Sequence, residues 1–209
     1  MNNNFSQQKE NFFNLWAPHY DCLLTTIFYQ AIHQRLLEYV ELQENCSVLD
    51  LGCGTGRLLN RLAANEPTIR GIGLDLSPSM LKVARQRNQY RKRLIFVRGN
   101  AESLSFADCQ FAAVFCTISF LHYPYPQQVF NEVSRVLAPG GYFYLVDSYR
   151  GENNNFCSIP WIGKIRLYNQ QQREKLGKEA GLSCLGHHYL LPGILLTIFR
   201  SPEVEKAIA

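Results

Sequence analysis

The chain has 209 residues, 46% of them hydrophobic and 18% charged, with a formal net charge of +4. That length and composition fit one folded domain and exclude a disordered or fibrous chain. So mild a positive balance does not by itself imply nucleic acid or an anionic membrane as a partner. Met1 to Glu10 is polar, without the basic and apolar regions of a signal peptide. No window approaches the roughly 18 apolar residues that a membrane span needs. Cys22, Cys46, Cys53, Cys109, Cys116, Cys157 and Cys184 form no CxxC pair and no zinc-ligand cluster in sequence. A reducing, cytoplasmic compartment is therefore expected, with most cysteines as core residues.

Taken in order, residues 11–41 read as helical with a break at Pro18. Ile32, Leu36, Leu37 and Val40 share one face of a helix over Gln30–Leu42. A first strand is expected over Ser47–Leu51, and the glycines Gly52, Gly54 and Gly56 then turn into a helix that stops before Pro67. A second strand over Ile69–Leu74 ends on Asp75. Ser77-Pro78 has the form of an N-cap followed by proline at the first helical position, opening a helix to about Tyr90. Strands over Leu94–Arg98 and Ala112–Ile118 follow, then a helix over Gln127–Leu137, a turn at Pro139-Gly140-Gly141, and a strand over Tyr142–Asp147. Gly151 to Gly163 reads as a loop over the carboxyl edge of the sheet. Tyr168–Gly181 is a helix with a glycine stop. Leu182–Leu191 and Ile194–Arg200 flank Pro192-Gly193 as an antiparallel hairpin. Strands alternating with helices predict a parallel α/β sheet with its ligand at the carboxyl ends of the strands.

Two acids stand at those ends. Asp75, at the tip of the second strand, is placed to accept hydrogen bonds from both hydroxyls of a ribose and to repel a 2′-phosphate. Asp50, just before the glycines, would sit awkwardly beside a dinucleotide's pyrophosphate but suits the ammonium and sulfonium of S-adenosylmethionine. The glycines follow G-x-G-x-G, and Arg57 stands where a dinucleotide fingerprint places its third glycine.

These residues carry a family resemblance over about 45–150. Val48 to Leu58 resembles the first motif of class I S-adenosylmethionine-dependent methyltransferases. Gly73 to Leu81, Arg98 to Phe106 and Phe111 to Phe115 resemble the second, third and fourth, and Glu132 to Gly141 resembles the helix and turn before the fifth strand. Trp16-Ala17-Pro18-His19-Tyr20-Asp21 is similar to the lead-in of the ubiquinone/menaquinone-type subgroup. Two positions depart from the family pattern: Asn100 and Ala112 stand where it carries acids. Asn100 can still accept a hydrogen bond through its carbonyl, and the acid missing at Ala112 helps a strand start more than it performs chemistry.

The resemblance implies a Rossmann-like three-layer sandwich around a seven-stranded, mostly parallel sheet with an antiparallel last strand. A helical lid over residues 1–41 would precede a cofactor-binding domain over 42–209. It implies that Gly52, Cys53, Gly54 and Gly56 line the methionine and ribose, and that Asp75 holds the ribose. Leu76 and Met80 would pack near the adenine, with Asn100, Ala101 and Glu102 along its edge, and Thr117 would face the methionine end. The expected function is methyl transfer from S-adenosylmethionine to a small-molecule acceptor by in-line substitution. No base is assigned; His122, His19 and Tyr20 are the candidates. Phe12, Phe13, Trp16, Tyr20, Phe156 and Trp161 suggest an apolar or aromatic acceptor. His187 and His188 read as surface residues. Lys82, Arg85, Arg87, Arg91, Lys92, Arg93 and Arg98 read as a solvated helix face, so no nucleic-acid partner is expected. No metal is expected, and nothing fixes the oligomeric state. Two alternatives stay open: a non-catalytic partner protein keeping the fold, and an NAD-dependent oxidoreductase, which the glycine spacing and Asp50 disfavour.

Overall fold

The computed structural model describes residues 23–149, 151, 156–159 and 163–203. Its elements in chain order are α1 (Leu23–Leu37), β1 (Ser47–Leu51), α2 (Arg57–Asn65), β2 (Arg70–Asp75), α3 (Pro78–Arg87), β3 (Leu94–Arg98), β4 (Phe111–Thr117) and a 3-10 turn over Phe120–His122. They continue with α4 (Pro126–Val136), β5 (Leu137–Ser148), β6 (Phe156–Ile159), β7 (Gly163–Arg166), α5 (Gln170–Glu179), β8 (Ser183–Leu191) and β9 (Ile194–Arg200).

Seven strands form one sheet in the order β3-β2-β1-β4-β5-β9-β8. The pairs from β3 through β5 are parallel, and β9 runs antiparallel to both β5 and β8. This is the expected α/β sandwich with an antiparallel last strand. Alternation along the central strands builds a core on each face. Val48, Ala113, Phe115, Tyr144 and Val146 turn toward Ile32 and Leu36 of α1, Leu58, Leu59 and Leu62 of α2, and Leu81 of α3. Leu49, Leu51, Val114, Cys116, Phe143 and Leu145 turn toward Val129, Phe130, Val133 and Val136 of α4. Each of those α4 side chains, buried at i, i+1, i+4 and i+7, contributes about 1.5–3 kcal/mol. A strand packed on both faces has no polar side, which is why β4 reads as a continuous apolar run from Phe111 to Cys116 and β1 is apolar apart from Ser47 and the buried Asp50.

Local signals account for the helix starts. Ser77 accepts from the Met80 N–H at 3.2 Å, with Pro78 in the first turn. Asn169 and Gln172 close a reciprocal capping box on α5.

The structure differs from the sequence expectations in four places. The helix expected over Gln30–Leu42 spans Leu23–Leu37 instead; Val40 and Leu42 lie past its end yet still pack on the core. Pro139-Gly140-Gly141 is a bulge inside β5 rather than a turn before it. Leu137 already pairs with Phe111, and the register resumes at Ala113 with Tyr142. A Cβ on Gly141 would lie 2.8 Å from the Ala138 carbonyl oxygen and 2.9 Å from that of Ala112, so the fold-back demands glycine. The loop expected over Gly151–Gly163 contains a strand: β6 pairs antiparallel with β7 apart from the main sheet. The basic cluster is not simply solvated. Arg85 donates to the Phe96 carbonyl at 2.8 Å, Arg93 to that of Ala63 at 2.8 Å, and Arg98 to that of Leu76 at 3.2 Å.

Candidate active site

Parallel pairing of β1 with β2 sets Asp50 beside Gly73 and Leu51 beside Leu74. The chain leaving β1 is tied to the end of β2, since Gly52 and Cys53 both donate their N–H to the Leu74 carbonyl, at 2.8 and 3.0 Å. Gly52, Gly54 and Gly56 all have positive φ. Two of them are also sterically fixed: a Cβ on Gly52 would strike Ser119 at 2.5 Å, and one on Gly56 would strike the Phe96 ring at 2.7 Å. Gly54 differs, because a Cβ there would meet no atom within 4 Å. Its free side faces space that a ligand can enter.

Asp75 accepts the Gly54 N–H on Oδ2 and the Ser77 N–H on Oδ1, both at 2.8 Å. Those bonds aim the carboxylate and leave each oxygen a second lone pair. Burial raises its pKa, and hydrogen bonds from Ser77, Gly54 and Leu76 act against that rise. Asp50 is 1% exposed, and its Oδ1 has no hydrogen-bond partner. Burial pushes its pKa well above the ordinary carboxylate value, and the negative charge of Asp75 adds to the push.

A small cavity of about 30 Å³ is lined by Asp50, Gly52, Cys53, Gly54, Thr55 and Thr117, with Arg57 and Leu58 at the start of α2 and Tyr29 and His33 from α1. Three of its lining residues carry a buried polar atom without a hydrogen-bond partner: Asp50 Oδ1, Thr55 Oγ1 and His33 Nδ1. Leaving a buried polar group unpaired costs about 1–3 kcal/mol, so such a cluster calls for a polar ligand or water. An ammonium group fits the two oxygens, and one beside Asp50 would also offset its buried charge. The donor set therefore fits the amino-acid end of S-adenosylmethionine, and Asp75 is tied to Gly54 of the same loop.

Tyr29, His33 and Thr55 were missed in the sequence reading. Tyr29 and His33 are four apart on α1, a spacing that resembles any buried helix face, while Thr55 was hidden among the glycines. His33 is 3% exposed; burial, then Arg61 and Arg57, lower its pKa to about 3, so it is neutral at physiological pH. Arg57, which broke the dinucleotide pattern, donates to Thr26 Oγ1 at 2.9 Å and so clasps α1 to the glycine loop.

Thr117 shares the cavity with Asp50. Met80 and Ala101 are buried, and Leu76 is half-buried. Asn100 and Glu102 face each other: Asn100 Oδ1 accepts the Glu102 N–H at 3.0 Å, and Glu102 Oε1 accepts the Tyr125 N–H at 2.9 Å at the start of α4. Both side chains thus shape the turn as well as offering an edge. His122 lies in the 3-10 turn after β4, half-buried. Phe12, Phe13, Trp16, His19, Tyr20 and Trp161, and the side chain of Phe156, lie outside the described residues.

Behind the edge, Asp147 accepts the N–H groups of Leu121 and Ser148, at 2.9 and 2.7 Å. Burial lifts its pKa to about 6, with Arg173 and these hydrogen bonds opposing. Arg173 is 1% exposed and donates to the carbonyls of Tyr168 and Leu195, at 3.1 and 2.9 Å, joining α5 to β9.

Residues 49–145 match the family model described as a methyltransferase domain. The chain is 30% identical over 196 residues to a demethylmenaquinone methyltransferase of Thermus thermophilus, covering 92% of this chain and 86% of that one. It is 32% identical over 178 residues to a malonyl-[acyl-carrier protein] O-methyltransferase of Marinomonas sp., covering 85% of this chain and 60% of that one. The chain spans about three fifths of the length of the first curated relatives it matches. Among solved structures, a methyltransferase in complex with the Haloferax volcanii Trm112 methyltransferase activator superposes with a TM-score of 0.79 at 25% identity, over 91% of this chain and 98% of that chain.

Proposed function

This chain belongs to the S-adenosylmethionine-dependent methyltransferase family, and on that premise we propose that it moves a methyl group from S-adenosylmethionine to a small-molecule acceptor by in-line substitution. The observation that carries the reading is that Asp50, Thr55 and His33, each with a buried polar atom lacking a hydrogen-bond partner, line one cavity with Gly54. A pyrophosphate would meet Asp50 there as a like charge, which disfavours the oxidoreductase alternative.

When bound, S-adenosylmethionine supplies a methyl group on a sulfonium that is already electrophilic. The protein's work is then to hold, orient and exclude water. Asp50 and Thr55 hold the ammonium group, and Asp75 takes the ribose hydroxyls on the lone pairs that Gly54 and Ser77 leave open. Gly54 leaves room for the ligand's approach. Tyr29 and His33 cover the amino-acid end, so α1 acts as the inner part of a lid. His33, with its pKa near 3, is too weak a base to take a proton at neutral pH and serves as a neutral hydrogen-bonding group. Of the three candidates to contact the acceptor, His122, His19 and Tyr20, His122 is the one among the described residues.

The acceptor we favour is apolar and aromatic, of the quinol class. The aromatic composition of residues 11–29 and 148–167 supports it, as do relatives named demethylmenaquinone methyltransferase. Among the described residues no helix is long and apolar enough to cross a membrane. The deciding experiment incubates the protein with labelled S-adenosylmethionine and a metabolite extract, then identifies labelled products by mass spectrometry. A labelled quinol-like product is expected. Label confined to highly charged acceptors would overturn the acceptor class, and calorimetric binding of NAD without S-adenosylmethionine would overturn the reaction.

A further inference from the structure

A second cluster of chemistry-bearing side chains lies away from this site, on the far edge of the sheet. Cys184 and His187 are three residues apart on β8, a spacing that puts side chains on opposite faces of a regular strand. Here β8 carries a bulge. Cys184 pairs with Phe199 and Gly186 with Ile198, so Leu185 is the extra residue, and His187 pairs with Thr197. Phe199 and Thr197 are two apart on β9 and share a face, so Cys184 and His187 share one as well. Gly186, at φ +155°, supplies backbone that other residues rarely adopt. Helix α5 packs over that face and brings Glu174 to it. The two histidines of this hairpin, expected at the surface, are both half-buried: the His188 ring lies tilted against Tyr39 with centroids 4.4 Å apart, and His187 turns to Glu174.

The ligand atoms of Glu174, Cys184 and His187 all lie within 4.8 Å of one another. His187 Nε2 is 2.9 Å from Glu174 Oε1 and 3.9 Å from Cys184 Sγ. A tetrahedral zinc ion, with Zn–S ~2.3 Å and Zn–N ~2.0 Å, sets its ligand atoms about 3.5 Å apart, so small side-chain adjustments suffice. The other ring nitrogen is already held: His187 Nδ1 lies 3.0 Å from Thr197 Oγ1, which also accepts from Arg173 at 3.3 Å. Metal-bound histidines are oriented by this kind of outer contact. A thiolate, an imidazole and a carboxylate are together a donor set of intermediate softness, suited to Zn²⁺ or Co²⁺ and not to Mg²⁺ or Ca²⁺.

We propose that Glu174, Cys184 and His187 form a binding site for Zn²⁺ that clips α5 to the β8–β9 hairpin, with water completing the coordination. Scanning for cysteine pairs misses this site, because the bulge and the helix, not the spacing, assemble it. The site is independent of the methyl-transfer reading, and so is its test. Isothermal titration of the full chain with Zn²⁺ alone is expected to find a site that Cys184→Ser, His187→Gln and Glu174→Gln each weaken at least tenfold, while Cys109→Ser, at an exposed cysteine elsewhere, leaves it unchanged. Co²⁺ in place of Zn²⁺ should give thiolate-to-cobalt absorption in the wild type, lost in Cys184→Ser. Zn²⁺ should raise the unfolding temperature of the wild type and not that of His187→Gln, a comparison that stands if Cys184→Ser does not fold. Failure of the wild type to bind Zn²⁺, or unchanged affinity in Cys184→Ser or His187→Gln, overturns the proposal.

Discussion

Asp50 and Asp75 are the same residue type at the ends of adjacent strands, yet their surroundings divide the work between them. Asp75 is aimed by two backbone N–H groups, whereas Asp50 Oδ1 is buried without a partner. Asp75→Ala removes acceptors that a ribose would use, and it is expected to weaken S-adenosylmethionine binding by about 1.5–3 kcal/mol, the usual worth of hydrogen bonds to a charged group. Calorimetry on the folded variant checks this, and unchanged affinity would remove the ribose role. His33 supports a prediction about acid stability. Its pKa is about 6.5 in an unfolded chain and about 3 here. Above pH 6.5 it is neutral in both states and adds no pH dependence. Below that, the unfolded chain takes up a proton that the folded state refuses, so stability falls by about 1.4 kcal/mol per pH unit until about pH 3. Asp147, raised to about 6, works the other way: the folded state keeps its carboxyl proton, so its contribution is lost as pH rises toward 6 and regained as pH falls. Comparing wild type with His33→Gln cancels the Asp147 term. Between pH 6.5 and 5, urea unfolding should show the wild type losing about 2 kcal/mol relative to the variant. Parallel pH profiles would mean that His33 ionises freely in the folded state.

At the scale of elements, sequence legibility followed whether an element's character was local. β1 and β3 emerge over the expected residues: β1 because its side chains are nearly all buried, and β3, an edge strand with Ile95 exposed, because Leu94 to Val97 is apolar throughout. The capped start of α3 was readable because Ser77-Pro78 acts within one turn, whereas the Asn169–Gln172 capping box starts α5 inside the expected helix over Tyr168–Gly181. The β5 bulge was not readable: Pro-Gly-Gly has turn chemistry, and only pairing with Phe111 across the sheet keeps it in the strand. Of the candidate site, the two acids and three glycines were legible because strand ends and tight turns leave marks in sequence. Tyr29, His33 and Thr55 were not, because a helix covering a pocket looks like a helix covering a core. Gly56 tests how strictly the loop is built. Its φ of +76° and the Phe96 ring 2.7 Å from a modest Cβ both oppose any side chain. Gly56→Ala should cost about 1–3 kcal/mol in denaturant unfolding. A loss below half a kcal/mol would show that the loop relaxes around a methyl group.

Over the whole molecule, the strand order reverses direction between β1 and β4, and the glycine loop opens at that switch point, where α/β sheets bind ligands. Helix α1 belongs to the amino-terminal segment yet closes the cavity: Arg57 of α2 holds its Thr26, and Tyr29 and His33 line the pocket. A cavity of about 30 Å³ accommodates a head group and not a nucleoside, and Tyr29 and His33 of α1 help line it, so the seating of α1 bears on binding. A ligand that binds only the folded state at a hundred times its Kd stabilises that state by about 2.7 kcal/mol. S-adenosylmethionine at that ratio should raise the denaturant midpoint accordingly, and hydrogen exchange should locate where the added protection falls. If α1 is the inner part of a lid, amides over 26–37 should gain protection together with those of 50–58 and 73–80. They should do so even under conditions in which α1 otherwise opens locally rather than with the whole fold. Protection gained at 50–58 and 73–80 with α1 unchanged would leave the cofactor reading standing and remove the lid.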